Sequence, residues 1–149
     1  MEKKLLNDQV VNQVKEVFDS QLNQPVEVLF FGQQHDCDYC DDTRQLVEEV
    51  TAISPKLSLQ VYDLEQHAEI ANQYSVDKAP SLVLAAKNGD DLTDYGVRFA
   101  GIPSGHEFSS LIQSLILVSS RDSALNEKTR QALKKLKKPV TLQVYVTPT

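Results

Sequence analysis

From Leu5 to Leu22 the apolar positions Leu6, Val10, Val11, Val14, Val17, Phe18 and Leu22 recur at helical spacing with polar residues between them, which predicts an amphipathic helix. The pattern changes at Pro25. PVEVLFFG is apolar and β-branched or aromatic almost throughout, the signature of a buried strand, and it stops at Gly32. Helical spacing returns at Leu46, Val47, Val50 and Ile53 and ends at Pro55, and LSLQVYDL from Leu57 reads as a second strand. A strand, a helix and a strand joined this way imply a right-handed parallel crossover. Glu65 to Tyr74 predicts a short helix and SLVLAA from Ser81 a third strand. The turn-rich KNGDDLTDYG before VRFAG makes the next pair an antiparallel hairpin. The last clear helix carries Phe108, Leu111, Ile112, Leu115, Ile116 and Val118 on one face, with Ser104 and Glu107 spaced as a capping box. The order helix-β-α-β-α-β-β-α predicts an α/β domain over residues 1–120, with a mixed four-stranded sheet flanked by helices.

Residues 121–149 read as a basic amphipathic helix followed by a strand. NQPVEVLFFGQ aligns with KKPVTLQVYVT when Pro25 is laid over Pro139, and the same offset brings Val11 over Leu125 and Leu22 over Leu136. The tail is therefore expected to be the helix and first strand of a second, incomplete unit, cut off just before its own cysteines. Such a strand, Val140 to Val146, has an unpaired edge and an apolar face, and either disorder or self-association through it is expected.

Composition narrows the function. The 149 residues are 41% hydrophobic with a net charge of −6, which lacks the basic face that nucleic acid or an anionic membrane surface requires. Asn7, Asp8, Gln9 and Asn12 interrupt the amino terminus, so it has no signal-peptide core, and the apolar run Leu111 to Val118 is too short to span a bilayer. The expected location is cytoplasmic. In a reducing compartment a close pair of cysteines points to catalysis or metal binding rather than to a structural staple.

Both cysteines lie in QHDCDYCDDT, residues 34–43, where a strand gives way to a helix. A redox pair needs one exposed thiolate to attack a disulfide and a second thiol close enough to resolve the product, and this spacing at a helix start meets both needs. Cys37 is then the nucleophile and Cys40 the partly buried resolving thiol. Asp36 is expected to cap the helix, with Asp41 and Asp42 in its first turns. The aspartates disfavour a nearby thiolate, so the Cys37 pKa is expected to be less depressed than in a strongly oxidising dithiol. A zinc site is the alternative; it would need further ligands from His35, His67 and His106 or from carboxylates. Two idle thiols are the bland alternative. Ala79-Pro80-Ser81 is either a simple strand opener or a cis X-Pro turn that presents backbone beside the thiols.

With CDYC after PVEVLFF, KAPS about forty residues later and YGVRFAGIPSGHEF before the last helix, the chain resembles the thioredoxin-like superfamily. More narrowly, it resembles the amino-terminal unit of two-unit, glutaredoxin-like protein disulfide oxidoreductases. The resemblance implies an enzyme exchanging protein or peptide disulfides with electrons from a reductase, with no cofactor and no metal. It implies Cys37 and Cys40 as catalytic, and Pro80, as a cis-proline, with Ala79 and Tyr39 as substrate-binding. It leaves as rivals a redox-inactive binding or scaffold domain and a zinc-binding module. The chain departs from the pattern in two places. Strand Val26 to Phe31 has only Glu27 as an acidic residue, so the buried carboxylate that thioredoxins place under their thiols looks absent. The inner pair Asp38-Tyr39 is that of neither thioredoxin nor glutaredoxin.

Overall fold

The computed structural model describes residues 4–147. Strands β1 (Val26–Gly32), β2 (Leu57–Asp63), β3 (Ser81–Asn88) and β4 (Asp91–Ala100) form one mixed sheet in the order β2-β1-β3-β4. β1 runs parallel to β2 and antiparallel to β3, and β4 closes the hairpin with β3. Helices α1 (Asp8–Gln21), α2 (Cys40–Thr51), α3 (Ala68–Gln73) and α4 (His106–Ser120) cover it.

The uninterrupted apolar character of β1 and β3 follows from their central position, since both of their faces are covered. Their pleat sorts side chains into two cores. Val26, Val28 and Phe30 of β1 and Leu82, Leu84 and Ala86 of β3 join Val14 and Phe18 of α1, Leu46, Val47 and Val50 of α2, and Leu111 and Leu115 of α4. On the opposite face Leu29, Phe31 and Val83 pack with Ala71 of α3 and with Val76. Cys40 belongs to the first of these cores.

The helix ends refine the sequence expectations. Asn7 caps α1, its side chain accepting the Val10 N–H at 2.9 Å, and Glu49 of α2 accepts the Leu5 and Leu6 N–H groups at 2.9 and 2.8 Å. The capping box expected at Ser104 and Glu107 does not form. Gly105, at φ 61°, is the residue before α4 and makes no side-chain cap, while the Ser104 carbonyl accepts the Glu107 N–H. At the other end of α4, Arg121 takes the left-handed conformation, and its guanidinium donates to the carbonyls of Val118, Pro25 and Lys87 at 2.7 to 2.9 Å.

Beyond Arg121 the expected helix is present but short. α5 (Glu127–Leu133) is capped by Asn126, whose side chain accepts the Thr129 N–H at 2.9 Å, and none of its residues is buried. Val140 to Val146, expected as a strand, joins no strand of the sheet, and Leu142, Val144 and Tyr145 are 89%, 85% and 88% exposed. A strand is fixed by ladder hydrogen bonds and by burial of one face, and this segment has neither among the described residues. Pro148 and Thr149, the end of that tail, lie outside the described residues.

Candidate redox site

β1 delivers the chain to the cysteines through Gly32 and Gln33. A Cβ at Gly32 would lie 2.8 Å from Cε1 of Phe30, so any side chain there would have to displace that ring, while Sγ of Cys40 stands at an ordinary contact distance of 3.7 Å. Gln33 then braces the loop, its amide donating to the carbonyls of His35 and Asp36 at 2.7 and 3.3 Å. Asp36 adopts φ 55° and does not cap α2, contrary to the sequence expectation. Tyr39 is the cap residue and makes no side-chain hydrogen bond. The helix accordingly begins at Cys40 itself, with Asp41 and Asp42 exposed in its first turn.

Cys37 and Cys40 are joined in a disulfide, with their Cα atoms 5.5 Å apart. Cys37 is half-buried and Cys40 is buried at 6% exposure. Any thiolate released at Cys37 would sit just before the first turn of α2, where unpaired N–H groups and the helix dipole favour negative charge. Tyr39 stands between the cysteines in sequence and is 57% exposed.

The sheet register brings Pro80 to the same end of the molecule. Phe31 pairs with Ser81, so Pro80 lies beside the point where β1 leaves the sheet for the cysteine loop. The Ala79–Pro80 bond is cis, and the Pro80 carbonyl accepts the Gly101 N–H at 2.8 Å. Cys37 and Ala79 both pack against the first core. Two segments about forty residues apart in sequence are thus assembled at one edge.

Glu27 sits at the far end of β1 and on the face opposite Cys40. It is 3% exposed, accepts from the Ser58 hydroxyl, and pairs with Lys87 at 3.0 Å. Burial pushes its pKa up, but hydrogen bonds from Ser58, Lys87 and Gln60 together outweigh burial and leave it below the usual carboxylate value. It is a structural ion pair remote from the thiols. Among the described residues no group of three or more His, Cys, Asp or Glu side chains comes close enough to hold a metal ion. Of the candidate ligands, His67 precedes α3 with its Nδ1 accepting the Asp63 N–H, and His35 lies exposed in the loop.

No protein-family model matches the chain. It is 31% identical over 112 residues to the NADH dehydrogenase of Bacillus subtilis (strain 168), covering 75% of this chain and 19% of that protein. It is 27% identical over 145 residues to a subunit of the alkyl hydroperoxide reductase of Staphylococcus aureus (strain NCTC 8325 / PS 47), covering 97% of this chain and 25% of that protein. The chain thus spans a quarter or less of the length of these curated relatives. Among solved structures, a protein disulfide oxidoreductase from Aeropyrum pernix K1 superposes with a TM-score of 0.76 at 27% identity, over 92% of this chain and 59% of the other. The NTD_N/C domain of alkylhydroperoxide reductase AhpF from Enterococcus faecalis (V583) gives 0.77 at 25% identity, over 89% and 62%. The chain has a thioredoxin-like fold.

The thioredoxin-like fold accounts for why the two cysteines, cis Pro80 and the end of β1 converge, and a dithiol at the start of α2 gives that edge a redox chemistry. Two contributors went unmarked in the sequence. Gly32 was legible only as the end of a strand. Thr43, one helical turn after Cys40, looked like an ordinary helix residue, yet it is fully buried and its hydroxyl has no hydrogen-bond partner. Leaving such a hydroxyl unpaired costs about 1–3 kcal/mol.

Proposed function

We propose that the chain is a redox unit that exchanges protein or peptide disulfides through Cys37 and Cys40, as part of a longer electron-transfer protein. The carrying observation is the Cys37–Cys40 disulfide at the first turn of α2, with one sulfur half-buried and the other sealed into the core. In the reducing direction the Cys37 thiolate attacks one sulfur of a substrate disulfide. The electron pair of the broken S–S bond leaves on the other substrate sulfur, which takes a proton. Cys40, as its thiolate, then attacks Cys37 Sγ, the second substrate sulfur departs and is protonated, and the protein is left with the disulfide seen here. Two electrons and two protons from a reductase restore the dithiol. The names of the relatives, an NADH dehydrogenase and part of a hydroperoxide reductase, support a reductase as that donor.

Ala79, Pro80 and Tyr39 line the approach, and an extended substrate segment would lie against the backbone before β3. Residues 121–149 are read as the opening of a second unit of the same fold. Two observations support this: the repeated helix, Pro-Val and apolar run, and matched structures of which this chain spans 59% and 62%. The exposed apolar side chains of Val140 to Val146 then wait for the rest of that unit, or for another copy of the chain. No helix among the described residues is long and apolar enough to cross a membrane.

Reduction of insulin disulfides in the presence of a small dithiol tests the reading. Wild type is expected to turn over, Cys37→Ser to fall to the uncatalysed rate, and Cys40→Ser to accumulate a mixed disulfide at Cys37. Turnover that survives Cys37→Ser overturns the proposal. Stoichiometric zinc in the reduced protein would favour the metal-binding alternative.

A further inference from the structure

Cys40 and Thr43 are three residues apart at the start of α2, a spacing that places side chains on adjoining positions of one helix face. Both are buried, Cys40 at 6% and Thr43 at 0% exposure. The Thr43 hydroxyl has no hydrogen-bond partner. Helix geometry does not impose this. Thr51, on the same helix, donates its hydroxyl to the Val47 carbonyl at 2.7 Å, the usual outlet for a helical threonine. The matching outlet for Thr43 is the Tyr39 carbonyl, which accepts only the Thr43 N–H, at 2.9 Å. The hydroxyl is held off a partner within reach of its own helix.

A sulfur in a disulfide is neutral and a poor acceptor, whereas a thiolate is a strong one. Cys40 becomes a thiolate only when the Cys37–Cys40 bond is broken. In the exchange reaction it must carry that charge in the core until it attacks Cys37 Sγ. The charged groups around it offer no compensation. Asp38, Asp41 and Asp42 flank it in the chain and are exposed, Arg44 one turn on is exposed and paired with Glu48 at 2.8 Å, and Glu27 is on the other face of the sheet with Ser58 and Lys87.

We infer that Thr43 is a positioning residue for the resolving thiol, its hydroxyl kept free in the oxidised protein to donate a hydrogen bond to the Cys40 thiolate formed when the disulfide opens. The inference rests on the dithiol reading of the site and adds to it the group that makes a buried thiolate tenable without a carboxylate beneath it. It also explains an orphan hydroxyl that valine would replace at equal volume.

The test titrates Cys40 alone, by thiolate ultraviolet absorbance in full-length Cys37→Ser protein, with Thr43 as wild type, Thr43→Val or Thr43→Ser. Thr43→Val is expected to raise the Cys40 pKa by about one unit, a tenfold loss of thiolate at a given pH below it. In protein with both cysteines, release of a chromogenic thiol from a mixed disulfide on Cys37 should slow by a similar factor. Thr43→Ser should restore both to within about twofold of wild type. Thermal melts of the oxidised proteins establish that Thr43→Val folds, with a midpoint at or above that of wild type. An unchanged Cys40 pKa in folded Thr43→Val overturns the inference, as does a shift that serine fails to restore. The titration needs no turnover, so it can fail while insulin reduction succeeds, and the reverse.

Discussion

Gly32→Ala tests the coupling between the dithiol and the core beneath it. The new Cβ would lie 2.8 Å from Cε1 and 3.0 Å from Cζ of Phe30, against an ordinary contact of about 3.5–4.0 Å. The ring cannot swing aside cheaply, because Phe30 is 3% exposed and packed in the same core as Cys40, Leu46, Val47 and Leu82. Forcing one methyl into a packed site costs about 1–3 kcal/mol. At a urea slope of about 1–3 kcal/mol/M, a loss of about 2 kcal/mol lowers the unfolding midpoint by roughly 1 M. The second arm removes the obstacle. Phe30→Leu alone loses ring packing, but in the double variant the alanine no longer meets the ring, so the two losses should fall short of additive by about 1 kcal/mol or more. Equilibrium urea unfolding of the four oxidised proteins, followed by far-ultraviolet circular dichroism, measures this. Equal midpoints for wild type and Gly32→Ala, or strict additivity in the cycle, would refute the steric argument.

Two further outcomes follow from the structure. Glu27 has a folded pKa below its unfolded value, so its ion pair contributes stability that is fully present above the unfolded carboxylate range and is lost as pH falls through the folded pKa. The acid side of the stability profile should therefore flatten in Glu27→Gln, which should also be destabilised at neutral pH because Lys87 and Ser58 lose their charged partner; an identical pH profile would contradict this. Val144→Asp should change stability by less than about 0.5 kcal/mol, since Val144 is 85% exposed, while lowering any concentration-dependent association seen by sedimentation velocity.

The elements with one continuous pattern were the most legible in the sequence. PVEVLFF and SLVLAA read as buried strands because both faces of β1 and β3 are covered, and the helical stripes of α1, α2 and α4 found their faces for the same reason. The fold and the redox pair were both readable from CDYC, KAPS and the element order. Features that depend on long-range pairing were not. Glu27 reads as a polar residue near a strand start, and its burial becomes intelligible only once Lys87, sixty residues on, lies across from it. The local caps failed for another reason. Asp36 and Ser104 carry the right side chains, but Asp36 at φ 55° and Gly105 at φ 61° turn the chain out of capping geometry before each helix begins. The strand expected at Val140 had a correct apolar pattern and lacked a neighbour, which periodicity alone does not supply.

The sheet acts as a partition between two interiors, and the cysteines belong to only one of them. Cys40 packs among residues of α1, α2 and α4, while Leu29, Phe31, Ala71, Val76 and Val83 lie behind a hydrogen-bonded wall. The disulfide thus borders one interior and not the other. Substitutions in the second interior are expected to adjust how firmly the fold holds together with little effect on how readily the dithiol gives up electrons.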